Sequence, residues 1–583
     1  MTMAVTTLVE MSHDASSWTD VTGYVLTEGV QFQRGRSRIL SEWQPGTWTA
    51  EFENTGRHVD PTNDAATFQA RPGDWIRVSL NGAVHFFGRL DTAGLSYAKG
   101  PVPVSRLTLS GSDSLAWIGR ATVHDPNTVG FTVDTGSHIN TVLALANLSF
   151  AATTPVASVI ASGDVSVTMP NTGAYNALTV VQTLVRTEGG NSQLFTAKTG
   201  ALTFRSRYSK PSQVVAFGGT GVPYTDIDAD FTQDEFFNVQ NLTPIAHLDT
   251  ESSPTSVTAG TGTKTFTLTA LGAGVGFGFS AGATVVATSQ ALGQPTMTGT
   301  VTSFNETTRV MVTSVASFTG SGTKTDWAFD LTEPSTVQSA TDAQSFTRYH
   351  MYAAKDVATY HRSLPATLVE ARILAATAAH PSRRINTFTV ELGGLTAGQK
   401  TSVLSLEIGD AAQVAFDLGS GDPQTLTQTR RIDGIAHRVR GDGSHRVTFI
   451  LGQEVTLDFT CVVKQNAASV ASTKLDATYT DRDGWVTAHL NLTITAAGTN
   501  NTELKITPTS LPAPFSTDAG NTCGIFRYYD ASAGHYIGAG SWDGTDITFK
   551  VNQAATNLAL GLSPVFAAAN GDAIIAQLKF RRS

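Results

Sequence analysis

"RPGDWIRVSLNGAVHFFGRLDT", residues 71–92, alternates apolar and polar side chains on both sides of Asn81-Gly82. Alternation at period two predicts strands with one buried face, and Asn-Gly suits the tight primed turn that joins two of them. The stretch therefore reads as a hairpin, and the texture spreads outward from it. "GVQFQRG" (29–35), "GTWTAEFEN" (46–54), "VHFFGRLDTAGLSY" (84–97) and "VSRLTLSGSD" (104–113) alternate in the same way between Gly, Asn or Asp residues.

The whole chain shares this bias. Its 583 residues are enough for several cores, 41% are apolar and only 15% are charged, with threonine, valine and glycine recurring throughout. A net charge of −9 without a basic run argues against specific nucleic-acid binding, because phosphates demand clustered Lys and Arg. The start, "MTMAVTTLVEMSHDASSW", lacks the basic and apolar parts of a signal peptide, so synthesis in a cytosol is expected. Cys461 and Cys523 exclude a disulfide framework and leave either one bridge or two separate buried thiols, of which the second is the reading preferred.

From residue 124 the period changes. "SHINTVLALANL" (137–148) and "AYNALTVVQTLVRTEGG" (174–190) space their apolar residues helically, "SQLFTAKTGALTFRSR" (192–207) reads as a hairpin, and "LPATLVEARILAATAAHP" (364–381) as a further helix. Between these parts, "GTGTKTF" (260–266) returns as "GSGTKTDW" (320–327). Neither is a phosphate loop, since threonine stands where a Walker lysine needs a preceding glycine. They read as the first and last strand signals of an inserted β-module, with Lys264 and Lys324 as solvated charges. The segment between Lys264 and Glu306 carries no charge, but its glycines, serines and threonines predict buried strands and turns rather than a membrane span.

Residues 386–452 read as strands again. In "GIAHRVRGDGSHRVTFIL" (434–451), Ile435 and Val439 share the core side with Val447, Phe449 and Leu451 only if the turn has an odd count, predicting Gly441 to His445. The tripeptide Arg440-Gly441-Asp442 in that turn is read as chance. Further on, "GWVTAHLNLTIT" (484–495) puts Val486, Ala488, Leu490, Leu492 and Ile494 on one face, and short strands continue to the end, predicting a sandwich.

Catalytic signals are weak. Asp481, Asp483, Asp530 and Asp543 supply carboxylates, but each sits in an apparent turn where backbone hydrogen bonding explains it. "DRDG" (481–484) resembles part of a calcium loop whose closing glutamate is missing, no His-Glu-x-x-His occurs, and "SGSDS" (110–114) is not a nucleophile elbow. We expect no enzyme activity, no metal and no cofactor. Tyr528, Tyr529, Tyr536 and Trp542 are candidate glycan or host-surface contacts, since aromatic rings stack on sugars. Against this, "IFRYYD" alternates and must bury either Ile525 with the stem of Arg527 or Phe526 with Tyr528.

Several of these segments, taken in order, resemble a known family. "RGRSRIL" (34–40), "GTWTAEFENTGRHVDPTN" (46–63), the opening stretch 71–92 and "LTLSGSDSLAWIGR" (107–120) are similar to the first domain of tail hub proteins, also called minor tail or baseplate hub proteins, of siphophages infecting Gram-positive, above all actinobacterial, hosts. "LVRTEGGNSQLFTAKTGALTFRSR" (184–207) resembles the hub's middle, and "LSLEIGDAAQV" (404–414) with "RRIDGIAHRVRGDGSHRVTFILG" (430–452) its second barrel. Residues 250–331 resemble a small β-module of tail-tip and fibre proteins.

The resemblance implies a mainly β multidomain chain with a small α+β middle. Its parts would be a first hub barrel at 1–123, a middle domain at 124–249 resuming at 332–385, the inserted module at 250–331, a second hub barrel at 386–452, and a jelly-roll-like sandwich at 453–583 as candidate host-binding domain. It also implies a homotrimer at the virion tail tip, whose paired barrels match a six-fold ring of distal tail protein. Further implied partners are the C-terminus of the tape measure protein, other tail-tip or fibre proteins and host cell-wall glycan. A glycan-binding tail protein and a tail-associated wall hydrolase are the alternatives.

Overall fold

The computed structural model describes residues 5–37, 41–98, 104–124, 133–146, 158–167, 174–189, 192–230, 237–244, 248–269, 281–289, 295–305, 308–332, 337–349, 353–360, 367–368, 370–371, 384–417, 425–455, 457–458, 460–465, 468–482, 485–496, 503–508, 511, 522–530, 534–542, 545–553, 556–559, 569–570 and 572–581. The chain is mainly β and forms two compact units. The first comprises 1–209, 225–408 and 433–450; the second comprises 210–224, 409–432 and 451–583.

The opening strands of the first unit pair antiparallel. Thr7–Ser12 pairs with Trp75–Leu80, which pairs with Ala83–Ala98, then Val104–Ser112, then Thr47–Glu53, then Val25–Gly35. The turn is the one the sequence predicts: Asn81 and Gly82 have φ of 49° and 80°, and Asn81 exchanges two hydrogen bonds with Thr6. The inward parity of these strands supplies a core of Val9, Met11, Phe32, Trp48, Phe52, Val78 and Leu109.

Strand Val25–Gly35 has a second neighbour, far away in sequence. Its residues Val30–Gly35 pair with Val439–Gly434. In the same unit Arg384–Glu391 lies between Asp226–Asp230 and the strand that begins at His445. Val439, Val447 and Phe449 are buried as parity requires, but the residues between strands are Arg440 to Ser444, one earlier than predicted. Arg440 N–H donates to Ser444 O and Asp442 accepts from Ser444 N–H, which releases His445 into the strand. A helix, Ala397–Ser405, also interrupts the region read as strands; its signal was a capping box of Thr396 and Gln399.

Helices Thr135–Leu145 and Ala177–Glu188 start on the side chains of Asp134 and Asn176, and the second ends at Gly189 with a positive φ of 66°. The hairpin Gln193–Thr196 and Leu202–Arg205 follows as expected. Of the stretch 364–381, Thr367, Leu368, Glu370 and Ala371 are helical and the rest lies outside the described residues.

Among its described residues the inserted segment forms a six-stranded sheet in the order Leu248–Ser253, Trp327–Thr332, Thr284–Ser289, Thr296–Asn305, Val310–Thr319, Gly262–Thr267, and a two-stranded pair, Val257–Thr258 with Thr323–Lys324. Backbone and side-chain bonds between Ser252 and Thr269 join the two outer strands. "GTGTKTF" thus carries its third strand rather than its first, because the polar "LDTESS" and Val257–Thr258 precede it with no apolar alternation to announce them. Lys264 and Lys324 are half-buried. Leu248 pairs with Thr332, so the chain enters and leaves the module side by side.

In the second unit one curled sheet runs Ser472–Arg482, Trp485–Ile494, Ala573–Arg581, Thr522–Asp530, Gly534–Trp542, Ile547–Gln553, Leu504–Pro508, Cys461–Gln465. Its inner face carries Val486, Ala488, Leu490, Leu492 and Ile494, all at or below 3% exposure, as the alternation predicts. No described helix is long and apolar enough to cross a membrane.

Candidate functional site

The inward parity of strand 25–35 reads Val30, Phe32, Arg34, placing a guanidinium where the pattern calls for an apolar residue. Arg34 is 1% exposed. Its Nη1 donates to Glu407 Oε1 at 2.6 Å and to Thr196 O at 3.1 Å. Glu407 Oε2 accepts the Lys198 N–H at 2.8 Å, and Lys198 Nζ donates to Ser405 O at 3.1 Å. Arg36 pairs with Asp433, whose Oδ1 accepts from Gln193 Nε2 at 3.0 Å. Buried charges cost several kcal/mol unless paired. This lattice pairs them while tying together strand 25–35, the 193–205 hairpin and the segment around 407.

Close backbone approach makes the lattice feasible. Gly35 and Gly434 face each other across the pairing. A Cβ on Gly35, whose φ is +83°, would lie 2.2 Å from Asp433 O, and one on Gly434 would lie 2.5 Å from Arg36 O. Both positions require glycine.

Three imidazoles adjoin this joint. His437 stacks on Phe32 at 4.6 Å, meets His85 edge-on at 5.5 Å, and shares a 3.0 Å hydrogen bond between its Nδ1 and His445 Nε2. Burial pushes His85 down to about 3 and His445 down to about 4, and holds His437 well below the ordinary imidazole range. All are neutral at neutral pH. Asp113 shows the opposite displacement: complete burial pushes its carboxyl up to about 7, against hydrogen bonds from Leu115 N–H, Thr196 and the backbone near Gly46. Asp113 also caps the short helix Ser114–Ile118, and Ser114 Oγ bonds Thr196 Oγ1 at 2.9 Å.

A cavity of 610 Å³ opens beside the imidazoles, with Phe32, Trp48 and His437 in its wall and Asp91, Arg438 and Arg446 around it. Asp91 accepts from Ser112 Oγ and Arg120 Nη2, each at 2.6 Å, and Arg446 pairs with Glu391 at 2.6 Å. No described group of three or more His, Cys, Asp or Glu side chains is arranged to hold a metal. Among the described residues no carboxylate is hydrogen-bonded to these imidazoles. The arrangement ties strands 25–35, 83–98 and 425–439 to one another.

Of the four aromatic candidates, Tyr528 and Trp542 lie in the core of the C-terminal sheet at 0% and 2% exposure, and the Tyr528 hydroxyl donates to buried Asp572. Neither ring can lie against a sugar. Phe526 and Tyr528 are the pair that "IFRYYD" buries, the second of the two alternatives. The side chains of Tyr529, Tyr536, Asp481, Asp483, Asp530, Asp543 and Cys523 lie outside the described residues. Cys461 is half-buried and packs against the sheet core. The signal that would have found the joint was polar residues at inward positions: Arg34 after Val30 and Phe32, and His437 between Ile435 and Val439.

No family model and no curated protein matches the chain. Among solved structures it is similar to a tail protein from Neisseria meningitidis, at 11% identity and TM-score 0.43 over 76% of this chain and 96% of that one. It is also similar to a 43 kDa prophage tail protein from Shewanella oneidensis, at 10% identity and TM-score 0.41 over 77% and 98%. A prophage tail protein from Listeria monocytogenes follows at 8% and 0.38, over 76% and 94%.

Proposed function

We propose that this chain is a non-enzymatic structural protein of a phage virion, a trimeric hub at the distal tail tip. It would join a six-fold ring of distal tail protein to three-fold tip components, with the tape measure C-terminus and fibre proteins as neighbours, and take part in host attachment and DNA delivery. The ordered hub-like motifs between residues 34 and 452 motivate this reading. The observation that carries it is the joint: strand 25–35 is bonded on one edge to Thr47–Glu53 and on the other to Gly434–Val439. Two strand sets from opposite ends of the hub-like region thereby become one continuous sheet.

Labelling intact virions with an antibody to the chain tests the placement. Label confined to the tail tip supports the reading, and label along the tail tube or on the capsid contradicts it. Zymography on cell-wall material tests the non-enzymatic part, where a cleared band would overturn it. Host-surface binding by 453–583 stays a second reading only through Tyr529 and Tyr536, whose substitution by alanine should then abolish wall binding.

A further inference from the structure

We propose that the joint is proton-sensitive: uptake of protons by His85, His437 and His445 opens the pairing of residues 30–35 with 434–439. The inference does not depend on the hub reading. Its basis is what faces the imidazoles from each packed element. Strand 25–35 contributes Arg34 and the ring of Phe32, strand 83–98 contributes His85, and the 193–205 hairpin contributes Lys198. Strands 425–439 and 445–454 contribute His437 and His445, while Arg438 and Arg446 border the cavity on their open side. Negative groups on and beside these elements are Glu407, engaged by Arg34 and the Lys198 backbone, Asp91, engaged by Ser112 and Arg120, Asp433, engaged by Arg36 and Gln193, and Asp113, which burial raises to about 7.

A proton on His85 or His437 therefore places a new cation beside Arg34 and Lys198, and one on His445 places it against His437, with Glu407, Asp91 and Asp433 already committed to other partners. The hydrogen bond between His437 and His445 also fails once both rings carry two protons, because both nitrogens then donate. Opening the ladder lets water solvate the rings and restores their ordinary affinity for protons. Protons thus favour the open form.

The window follows from the shifts. Each histidine titrates near 6.5 when released; enclosed, His445 is lowered to about 4, His85 to about 3 and His437 well below 6.5, so closure weakens as pH falls from 6.5 towards 4. Asp113 opposes this with one proton, since its enclosed carboxyl binds a proton that the released one at 3.8 does not. Three against one leaves a net uptake of about two protons, or roughly a hundredfold change in the open fraction per pH unit at the steepest point. Carboxylates such as Asp60, held well below 3.8, act only under more acid conditions. His138, whose burial lowers it likewise, sits on helix 135–145 against Val167 and is separable by position.

Hydrogen exchange of the full-length chain, read peptide by peptide and corrected for intrinsic rates, tests this. Peptides covering 30–35 and 434–439 should lose protection by at least about tenfold per pH unit below pH 6, while 485–494 in the other unit stays protected. His437→Gln with His445→Gln should flatten the profile to within about twofold, because one histidine and Asp113 then cancel. Unchanged protection in the wild type down to pH 4.5, or an equal loss in the double variant, overturns the proposal. Should the double variant not fold, His85→Gln alone should reduce the slope by about tenfold per pH unit, and an unchanged slope overturns it equally.

Discussion

The inserted module and the joint at strand 25–35 lie in the same unit but are stabilised in opposite ways. The module closes on Phe266, Met311, Trp327 and Phe329, apolar side chains drawn from one contiguous segment. The joint closes on Arg34, Glu407, Lys198, Asp433 and a pair of glycines, drawn from segments hundreds of residues apart. Apolar burial is non-directional and tolerates small shifts. A buried ion pair is directional and fails when one partner is removed.

Removing the Glu407 carboxylate should therefore produce the largest effect. Glu407→Ala leaves Arg34 buried without its anion, and the first unit should lose about 4 kcal/mol in denaturant unfolding, with exchange in the module strands unchanged. A loss below about 1 kcal/mol would erase the contrast. Next, Met311→Ala opens a cavity in the module core and should cost about 3 kcal/mol there, leaving the joint protected. Loss of protection at 30–35 in this variant would mean that the two regions fold as one.

The third effect depends on pH. Asp113 is raised from 3.8 to about 7 in the folded chain, so its contribution is fully present below 3.8 and is lost as pH rises through 7. Asp113→Asn retains a capping oxygen without that loss. Its stability relative to the wild type should rise steadily between pH 4 and 7 and stay level above, and a flat difference would show that Asp113 does not titrate there. The smallest effect is expected from deleting residues 248–332. Leu248 and Thr332 are paired neighbours, so a short linker can close the gap, and exchange at the joint should be unchanged. Collapse of the first unit would contradict the module's independence.

The same contrast explains what the sequence disclosed. The Asn81-Gly82 turn, the alternation of 484–495 and the caps at Asp134 and Asn176 are local signals, and the fold followed them. The helix 397–405 was missed although Thr396 and Gln399 announced it, because the flanking strands set the expectation. The joint was not legible as a site, since nothing local says that Arg34 will meet Glu407. What was visible was a charge on an apolar face. Two of the four aromatic candidates fell for the converse reason: Tyr528 and Trp542 are amphipathic, and alternation left either Ile525 with Arg527 or Phe526 with Tyr528 to face the core, a choice that only the fold makes.

The central claim, a trimeric hub at the tail tip, meets its most direct test in an electron-microscopic map of the tail tip. The account predicts three copies of this chain around the tail axis beneath a six-fold ring, with strands 25–35 and 434–439 paired within each copy. A six-fold arrangement of this chain, or its absence from the tip, would contradict it.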